Sequence, residues 1–216
     1  MTKIIKDKLT KVEIAEMQRV LFPGQIIVVN NIPDVYKALS YLNRQTLLGI
    51  DTETRPSFRS GKTYGISLLQ ISSEDCCFLF RVNKIGIPKV LVDFLKNDIL
   101  KVGLSLKDDF LMIHRLRDGM DIETGNWIDL QHYVKRFGIQ DLGLQKIYAN
   151  LFGQKISKSQ RLTNWNAEEL TESQQLYAAT DAWACLKIYK LLCELEQTGD
   201  YELVVTPEET NEEIQD

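Results

Sequence analysis

The chain has 216 residues, of which 44% are hydrophobic and 26% are charged. This length and balance are typical of a globular protein with one domain, and they exclude a chain that is mostly disordered. The formal charge is −4, but seven of the 30 acidic residues and none of the 26 basic residues lie in 200–216, so residues 1–199 carry +3. The overall acidity therefore does not exclude a polyanionic ligand for the body of the chain.

Short apolar runs bounded by turn residues predict strands along most of the chain. They lie at 25–29, 47–52, 65–72, 76–82, 100–104 and 126–130. Apolar residues three or four positions apart predict helices between and after these runs. The helical segments lie within 1–20 and at 34–43, 88–95, 106–120 and 172–195. Strands that alternate with helices in this way predict an α/β layer fold with a mixed sheet.

Composition divides the chain into three parts. Residues 1–24 are interpreted as an N-terminal extension, and residues 25–199 as the folded domain. Residues 200–216 contain acidic residues and neither lysine nor arginine, so we expect this tail to be disordered.

Composition also bears on the cellular location. No apolar run approaches the ~20 residues that a membrane span needs, and residues 1–10 lack the apolar segment of a secretory signal. None of the four cysteines forms a C-x-x-C pair, so we expect reduced thiols rather than a zinc site. The sequence therefore predicts a cytoplasmic protein that does not contact membranes.

Four carboxylates in three separate segments are the main candidates for chemistry. Asp51 and Glu53 lie two positions apart at the end of a predicted strand, so their side chains share one face. Asp109 lies at the start of a predicted helix. Asp181 lies in the last helix among alanines and aromatic residues, where aspartate is a poor helix former. Tyr177 precedes Asp181 by four positions and therefore shares its helix face.

Each of these residues also has an ordinary structural explanation. A strand end can be solvated, acidic residues favour a helix N-terminus, and a tyrosine can donate a hydrogen bond to an aspartate one turn away. If the four carboxylates converge instead, their repulsion requires cations, and hard oxygen ligands favour Mg²⁺ or Mn²⁺. A pair of such ions ~3.5–4 Å apart is suited to in-line displacement at a phosphodiester.

Three segments then show a resemblance to a known family. In order, GIDTE (49–53), VGLSLKDD (102–109) and YAATDA (177–182) resemble the three motifs of the DEDDy 3′→5′ exonucleases. This family includes ribonuclease D and the exonuclease domain of the Werner syndrome helicase. The segment KSQRLTNW (158–165) resembles the family's lead-in to the third motif. The resemblance covers about residues 26–195.

The resemblance implies a ribonuclease-H-like fold, with a mixed five-stranded sheet flanked by helices. It assigns Asp51, Glu53, Asp109 and Asp181 as ligands of two divalent cations, Mg²⁺ or Mn²⁺. It assigns Tyr177 as the catalytic residue that orients the attacking water. The implied reaction is metal-dependent hydrolysis of nucleic-acid phosphodiesters from the 3′ end, which releases nucleoside 5′-monophosphates.

Basic and aromatic residues near these motifs are candidates for substrate binding. Lys62 and Arg161 are predicted to contact the phosphates of the strand. Further basic candidates, for which a solvated surface is the favoured explanation, are Arg55, Arg59, Lys155 and Lys158. Phe58 and Trp165 are candidates for base stacking, although packing against the last helix is the favoured role of Trp165.

The expected partner is a nucleic acid with a free 3′ end, single-stranded or frayed, with the choice between DNA and RNA left open. One alternative is ribonuclease D-like trimming of RNA 3′ ends. Another is a catalytically silent nuclease fold that binds nucleic acid, which is disfavoured because all four carboxylates and Tyr177 are present. A glycosidase with two carboxylates is remote, because it would require neither Tyr177 nor the segment 102–109.

Overall fold

The computed structural model of the chain describes residues 2–57, 64–116 and 121–206. The strands are β1 Lys3–Lys6, β2 Gln18–Arg19, β3 Gln25–Val29, β4 Leu47–Thr54, β5 Ile66–Ser72, β6 Cys76–Phe80, β7 Leu100–Gly103, β8 Trp127–Asp129, β9 Gln154–Lys155 and β10 Tyr201–Val204. The helices are α1 Lys11–Glu16, α2 Ile32–Leu42, α3 Val82–Ile85, α4 Lys89–Leu95, α5 Leu106–Leu116, α6 Leu130–Tyr133, α7 Leu144–Phe152 and α8 Glu172–Thr198, and a 3₁₀ turn spans Val134–Phe137.

A mixed sheet of six strands forms the centre of the molecule, in the order β3-β6-β5-β4-β7-β8. Strand β5 runs antiparallel to both of its neighbours, whereas the other pairs are parallel. The predicted α/β fold with a mixed sheet flanked by helices is confirmed. The sheet has six strands rather than the five that the resemblance implied.

Helices cover both faces of this sheet, and each face has its own apolar cluster. Alternate residues of a strand point to opposite faces, so Leu68 of β5 joins the cluster against α8, while Leu69 and Ile71 join the cluster with α2 and α4. Both faces of β5 are covered, and all seven of its residues are buried, including two serines and one glutamine. Within the described residues, no helix is long and apolar enough to cross a membrane.

Helix α8 lies unusually close to the backbone of β4. A Cβ atom added to Gly49 would lie 1.9 Å from the carbonyl oxygen of Ala182, a distance that no side chain can adopt. Glycine at position 49 therefore allows the helix to pass directly over the strand. This contact holds the middle of α8 against the end of β4 that carries Asp51 and Glu53.

The N-terminal segment is part of the folded body. Strand β1 pairs in parallel with β10, and β2 pairs in parallel with β9. Phe22 lies in the apolar cluster against α8, and its backbone N–H donates to the Thr180 hydroxyl at 3.0 Å. The predicted boundary between 24 and 25 therefore does not separate an extension from the domain in the structure.

The predicted disorder of the tail is wrong for residues 201–204, which form β10. The buried carboxylate of Asp7 also accepts hydrogen bonds from the backbone N–H of Thr206 at 2.9 Å, the Thr206 hydroxyl at 2.7 Å and Gln140 Nε2 at 3.2 Å. Local composition could not reveal this strand, because its partner lies about 200 residues earlier in the chain. The prediction for residues 207–216 lies outside the described residues.

Candidate active site

The carboxyl end of β4 forms one side of a cleft. Strand β7 pairs with β4 only from Leu47 to Gly49, whereas β5 continues to pair with β4 as far as Thr54. The edge of β4 beyond Gly49 is therefore free on the β7 side. Asp51 and Glu53 lie on this stretch, with both side chains on the face that α8 covers.

Helix α8 contributes the third carboxylate. The side chain of Thr171 caps the helix by accepting from the backbone N–H of Gln174. Two and a half turns later, Asp181 lies in the same place as the two acids of β4 and is only 6% exposed. One carboxylate oxygen from each of Asp51, Glu53 and Asp181 lies within 4.8 Å of the others.

Asp109 approaches the same strand end from the opposite face of the sheet. The side chain of Thr52 points away from its two acidic neighbours, and its hydroxyl donates a hydrogen bond to Asp109. The adjacent Asp108 is exposed. Asp109, and not Asp108, therefore contacts the end of β4, outside the group of three carboxylates but near enough for its charge to raise the pKa of Asp51.

The start of α5 is fixed by a residue that the sequence analysis did not identify. Asp129, at the end of β8, accepts hydrogen bonds from the backbone N–H groups of Ser105 and Leu106, each at 3.0 Å. Ser105 has a φ of 62°, the left-handed conformation that residues other than glycine rarely adopt. This tight turn between β7 and α5 places Asp109 one turn into the helix. In the sequence, Asp129 is marked only as a polar residue near the end of the predicted strand at 126–130.

The negative charge of these carboxylates exceeds the positive charge that neighbouring residues supply. Burial, followed by repulsion from Asp181 and Asp109, raises the pKa of Asp51 well above its ordinary value. Burial and repulsion from Asp51 and Asp181 raise the pKa of Glu53 to about 10, although Arg161 opposes the shift. Burial also raises the pKa of Asp181 to about 7 and that of Asp109 to about 6. Ionised carboxylates are therefore unfavourable here without a further cation.

The donor set fits a divalent metal ion. Asp181 Oδ1 is buried and has no hydrogen-bond partner among the residues that the structure describes. The ligand atoms of the cluster are carboxylate oxygens, which suit Mg²⁺ or Mn²⁺ better than zinc or copper. A bound cation would favour the ionised form of these groups, against the burial and repulsion that raise their pKa values.

Tyr177 lies one helical turn before Asp181 and faces the same cluster. Burial, followed by the negative charges of Asp181 and Glu53, raises the pKa of Tyr177, and a hydrogen bond with the Asp181 carboxylate adds to the shift, so the hydroxyl stays protonated. The same hydrogen bond partly offsets the rise that burial causes in the pKa of Asp181. Trp165 is fully buried with its ring 6.0 Å from the Tyr177 ring. It packs behind Tyr177, in line with the packing role that the sequence analysis favoured over base stacking for Trp165.

Basic residues line the opposite side of the cleft. A pocket of about 370 Å³ contains Asp51, Glu53, Tyr177 and Asp181. Its other lining residues include Lys146, Lys158 and Arg161. Lys158 and Arg161 are exposed and form no ion pair with a described residue, whereas Lys146 pairs with Asp141 at 2.7 Å. One pocket therefore contains the carboxylates together with the basic side chains of Lys158 and Arg161.

Two other basic candidates within the described residues, Arg55 and Lys155, do not line this pocket. Arg55 lies over the ring of Tyr64 at 5.0 Å, and Lys155 donates to the backbone carbonyl of Ala15. The candidates Lys62, Arg59 and Phe58 lie outside the described residues. Lys146 was missed, because nothing in its local sequence marks it and only the packing of α7 brings it to the cleft.

Comparison with known proteins identifies the family. A family model described as 3′-5′ exonuclease matches residues 26–195, which is most of the chain. The chain belongs to the 3′-5′ exonuclease family. It is 31% identical over 189 residues to the bifunctional 3′-5′ exonuclease/ATP-dependent helicase WRN of Mus musculus, covering 82% of this chain and 13% of that protein. Across the curated relatives, the chain spans between 13% and 53% of their own lengths.

Solved structures of the 3′-5′ exonuclease family share the fold. The Aedes aegypti Nibbler EXO domain matches with a TM-score of 0.70 and 24% identity, covering 80% of this chain and 89% of that domain. Escherichia coli RNase D matches with a TM-score of 0.67 and 22% identity, covering 82% of this chain and 46% of that protein. These likenesses confirm the ribonuclease-H-like fold that the three motifs implied.

Proposed function

We propose that this chain is a metal-dependent 3′→5′ exonuclease that uses two divalent cations, Mg²⁺ or Mn²⁺. The observation that carries the proposal is the buried cluster of Asp51, Glu53 and Asp181, with Asp109 beside it. Four carboxylates whose charge the protein leaves uncompensated are suited to a pair of cations. Membership of the 3′-5′ exonuclease family supports the direction of hydrolysis.

The residues of the chain have separate roles in this proposal. Asp51, Glu53, Asp109 and Asp181 hold the cations, which when bound stabilise the charge that develops on the phosphate and lower the pKa of the attacking water. The Tyr177 hydroxyl remains protonated and orients that water from one helical turn away.

The proposed substrate is a nucleic acid with a free 3′ end, single-stranded or frayed. Lys158 and Arg161 are exposed basic residues on the pocket wall, where they can bind backbone phosphates. Such binding weakens as the salt concentration rises. A second candidate is trimming of RNA 3′ ends, in the way that Escherichia coli RNase D is described as an exoribonuclease involved in structured RNA processing. A catalytically silent binding module is disfavoured, because Asp51, Glu53, Tyr177 and Asp181 line one pocket and Asp109 is retained.

The test uses matched DNA and RNA oligonucleotides that carry a label at the 5′ end. We expect a descending ladder of labelled products in Mg²⁺ or Mn²⁺, and no products in EDTA. The faster substrate of the matched pair identifies the nucleic acid. Full activity in EDTA would refute the metal-dependent mechanism, and immediate release of a labelled mononucleotide would refute the direction.

A further inference from the structure

The side-chain amide of Gln70 is buried and lacks hydrogen-bond partners among the described residues. It lies in the middle of β5 and is fully buried. Neither Oε1 nor Nε2 has a hydrogen-bond partner among the residues that the structure describes. Buried polar groups in native proteins are almost always paired, so this amide in the central sheet calls for a hydrogen-bond partner close to it.

The register of the sheet places this amide beside the carboxylate cluster. Gln70 is the direct cross-strand partner of Asp51 in the antiparallel pair of β4 and β5. Directly opposite residues point to the same face, with Cβ atoms about 4.5–5.5 Å apart. The cross-strand neighbour of Gln70 on its other side is the apolar Leu79 of β6. Ser72, two positions along β5, already donates its hydroxyl to the carbonyl of Ser73 at 2.8 Å.

We propose that Gln70 is the positioning residue of Asp51, donating an amide N–H to one carboxylate oxygen while the other oxygen faces the cation. The inference rests on the proposed function, because a bound cation is what holds Asp51 ionised and in a fixed orientation. Hydrogen bonds to the ligands of a metal ion commonly set the orientation of those ligands.

The side-chain chemistry at position 70 suits this role. A neutral amide donates to a carboxylate without adding charge to the cluster. A glutamate at this position would add to the repulsion among the acids, and a lysine would compete with the cation for Asp51. The amide therefore supports a metal ligand without changing the charge that attracts the metal.

The test compares metal affinity with the stability of the metal-free protein. Gln70→Met and Gln70→Leu are titrated with Mn²⁺, and free Mn²⁺ is followed by its electron paramagnetic resonance signal. We expect Mn²⁺ affinity to fall by about 10- to 100-fold in both variants. The melting temperature in EDTA should equal or exceed that of the wild type, because an unpaired buried amide has been removed.

Ser72→Ala is the matched control, because it also removes a buried polar group from the same face of β5, two positions from Gln70. It should bind Mn²⁺ as the wild type does. Unchanged Mn²⁺ affinity in both Gln70 variants would overturn the inference, as would a lower melting temperature of both in EDTA. If the wild type itself fails to bind Mn²⁺, the proposed function fails and the inference fails with it.

Discussion

Asp108 and Asp109 are adjacent in sequence, but their environments differ. Asp109 is partly buried and accepts the Thr52 hydroxyl, whereas Asp108 points to solvent. We expect Asp109→Asn to lower kcat by at least ~10²-fold, which is the scale of losing one preorganised electrostatic group. Asp108→Asn is the matched control and should leave kcat within about twofold. Equal losses in steady-state rates of the two variants would contradict the assignment of Asp109.

A substitution at Tyr177 tests whether its hydroxyl affects the rate of hydrolysis alone. Tyr177→Phe keeps the ring that packs on Trp165 and removes only the hydroxyl. If the hydroxyl orients the attacking water, kcat falls by about 10²–10⁴-fold, while KM, metal affinity and melting temperature change little. If it only supports Asp181 through their hydrogen bond, metal affinity falls instead. Complete rescue of the rate at high Mn²⁺ would therefore contradict a direct role in catalysis.

The raised pKa values of the carboxylates predict how the metal-free protein responds to pH. The pKa is about 6 for Asp109, about 7 for Asp181 and about 10 for Glu53, whereas carboxyl groups of an unfolded chain titrate near pH 4. The folded state therefore binds more protons than the unfolded state between these limits. Its free energy of unfolding falls as the pH rises through the folded pKa values.

We therefore expect the melting temperature in EDTA to fall between about pH 5 and about pH 8. Asp181→Asn should flatten this dependence, because the substituted amide does not titrate. Added Mg²⁺ should raise the melting temperature more at the upper pH, since binding requires ionised ligands. Differential scanning fluorimetry at several pH values measures both effects. A melting temperature in EDTA that rises over this range would be the opposite result.

Residues of the candidate site differ in how far the sequence alone could reveal them. Asp51 and Glu53 could be placed on one face because strand geometry has a period of two, and Tyr177 and Asp181 because helix geometry brings positions four apart together. Asp129 and Lys146 reach the site through packing between elements far apart in the chain. Local spacing contains no information about such contacts.

Among the elements, the contact between α8 and β4 decides whether the carboxylates meet. Gly49→Ala would place a Cβ atom 1.9 Å from the Ala182 carbonyl oxygen, so the helix must move away from the strand. We expect a lower melting temperature and weaker Mn²⁺ binding, because Asp181 moves with the helix. Gly65→Ala is the matched control at the entrance to β5, where the added Cβ would make an ordinary 3.5 Å contact with Leu116. Similar melting temperatures for the two variants would show that the close approach is not required.

Most of the long elements were predicted, but the helix α7 at Leu144–Phe152 was missed together with the shortest strands. The predicted strand at 25–29 coincides with β3, and the predicted helix at 34–43 corresponds to α2 at Ile32–Leu42. Strands β2 and β9 have two residues each and no periodicity to detect. The sequences of strands β1 and β10 contain polar residues on one side and therefore resemble surface loops. The two strands pair with each other across nearly the whole length of the chain, which local patterns do not reveal.

At the scale of the whole molecule, the two ends of the chain contribute to one structure. Truncation after Gly199 removes β10 and the Thr206 donors to Asp7, so we expect a clearly lower melting temperature. Truncation after Thr206 keeps these contacts and removes an acidic segment without apolar periodicity, so the melting temperature should stay unchanged. Equal melting temperatures of the two truncated proteins would contradict a structural role for β10.

The parallel pairing of β1 with β10 also determines how the protein bears tension. Lys3 lies opposite Tyr201 and Lys6 opposite Val204, so the chain enters the ribbon at one end and leaves it at the other. A pull on the two termini slides the strands lengthwise past each other, and the ladder of hydrogen bonds carries the load together. An antiparallel ribbon with both termini at the same end would open one bond at a time. Tension applied to β1 and β10 in these directions therefore loads the hydrogen bonds between them in shear.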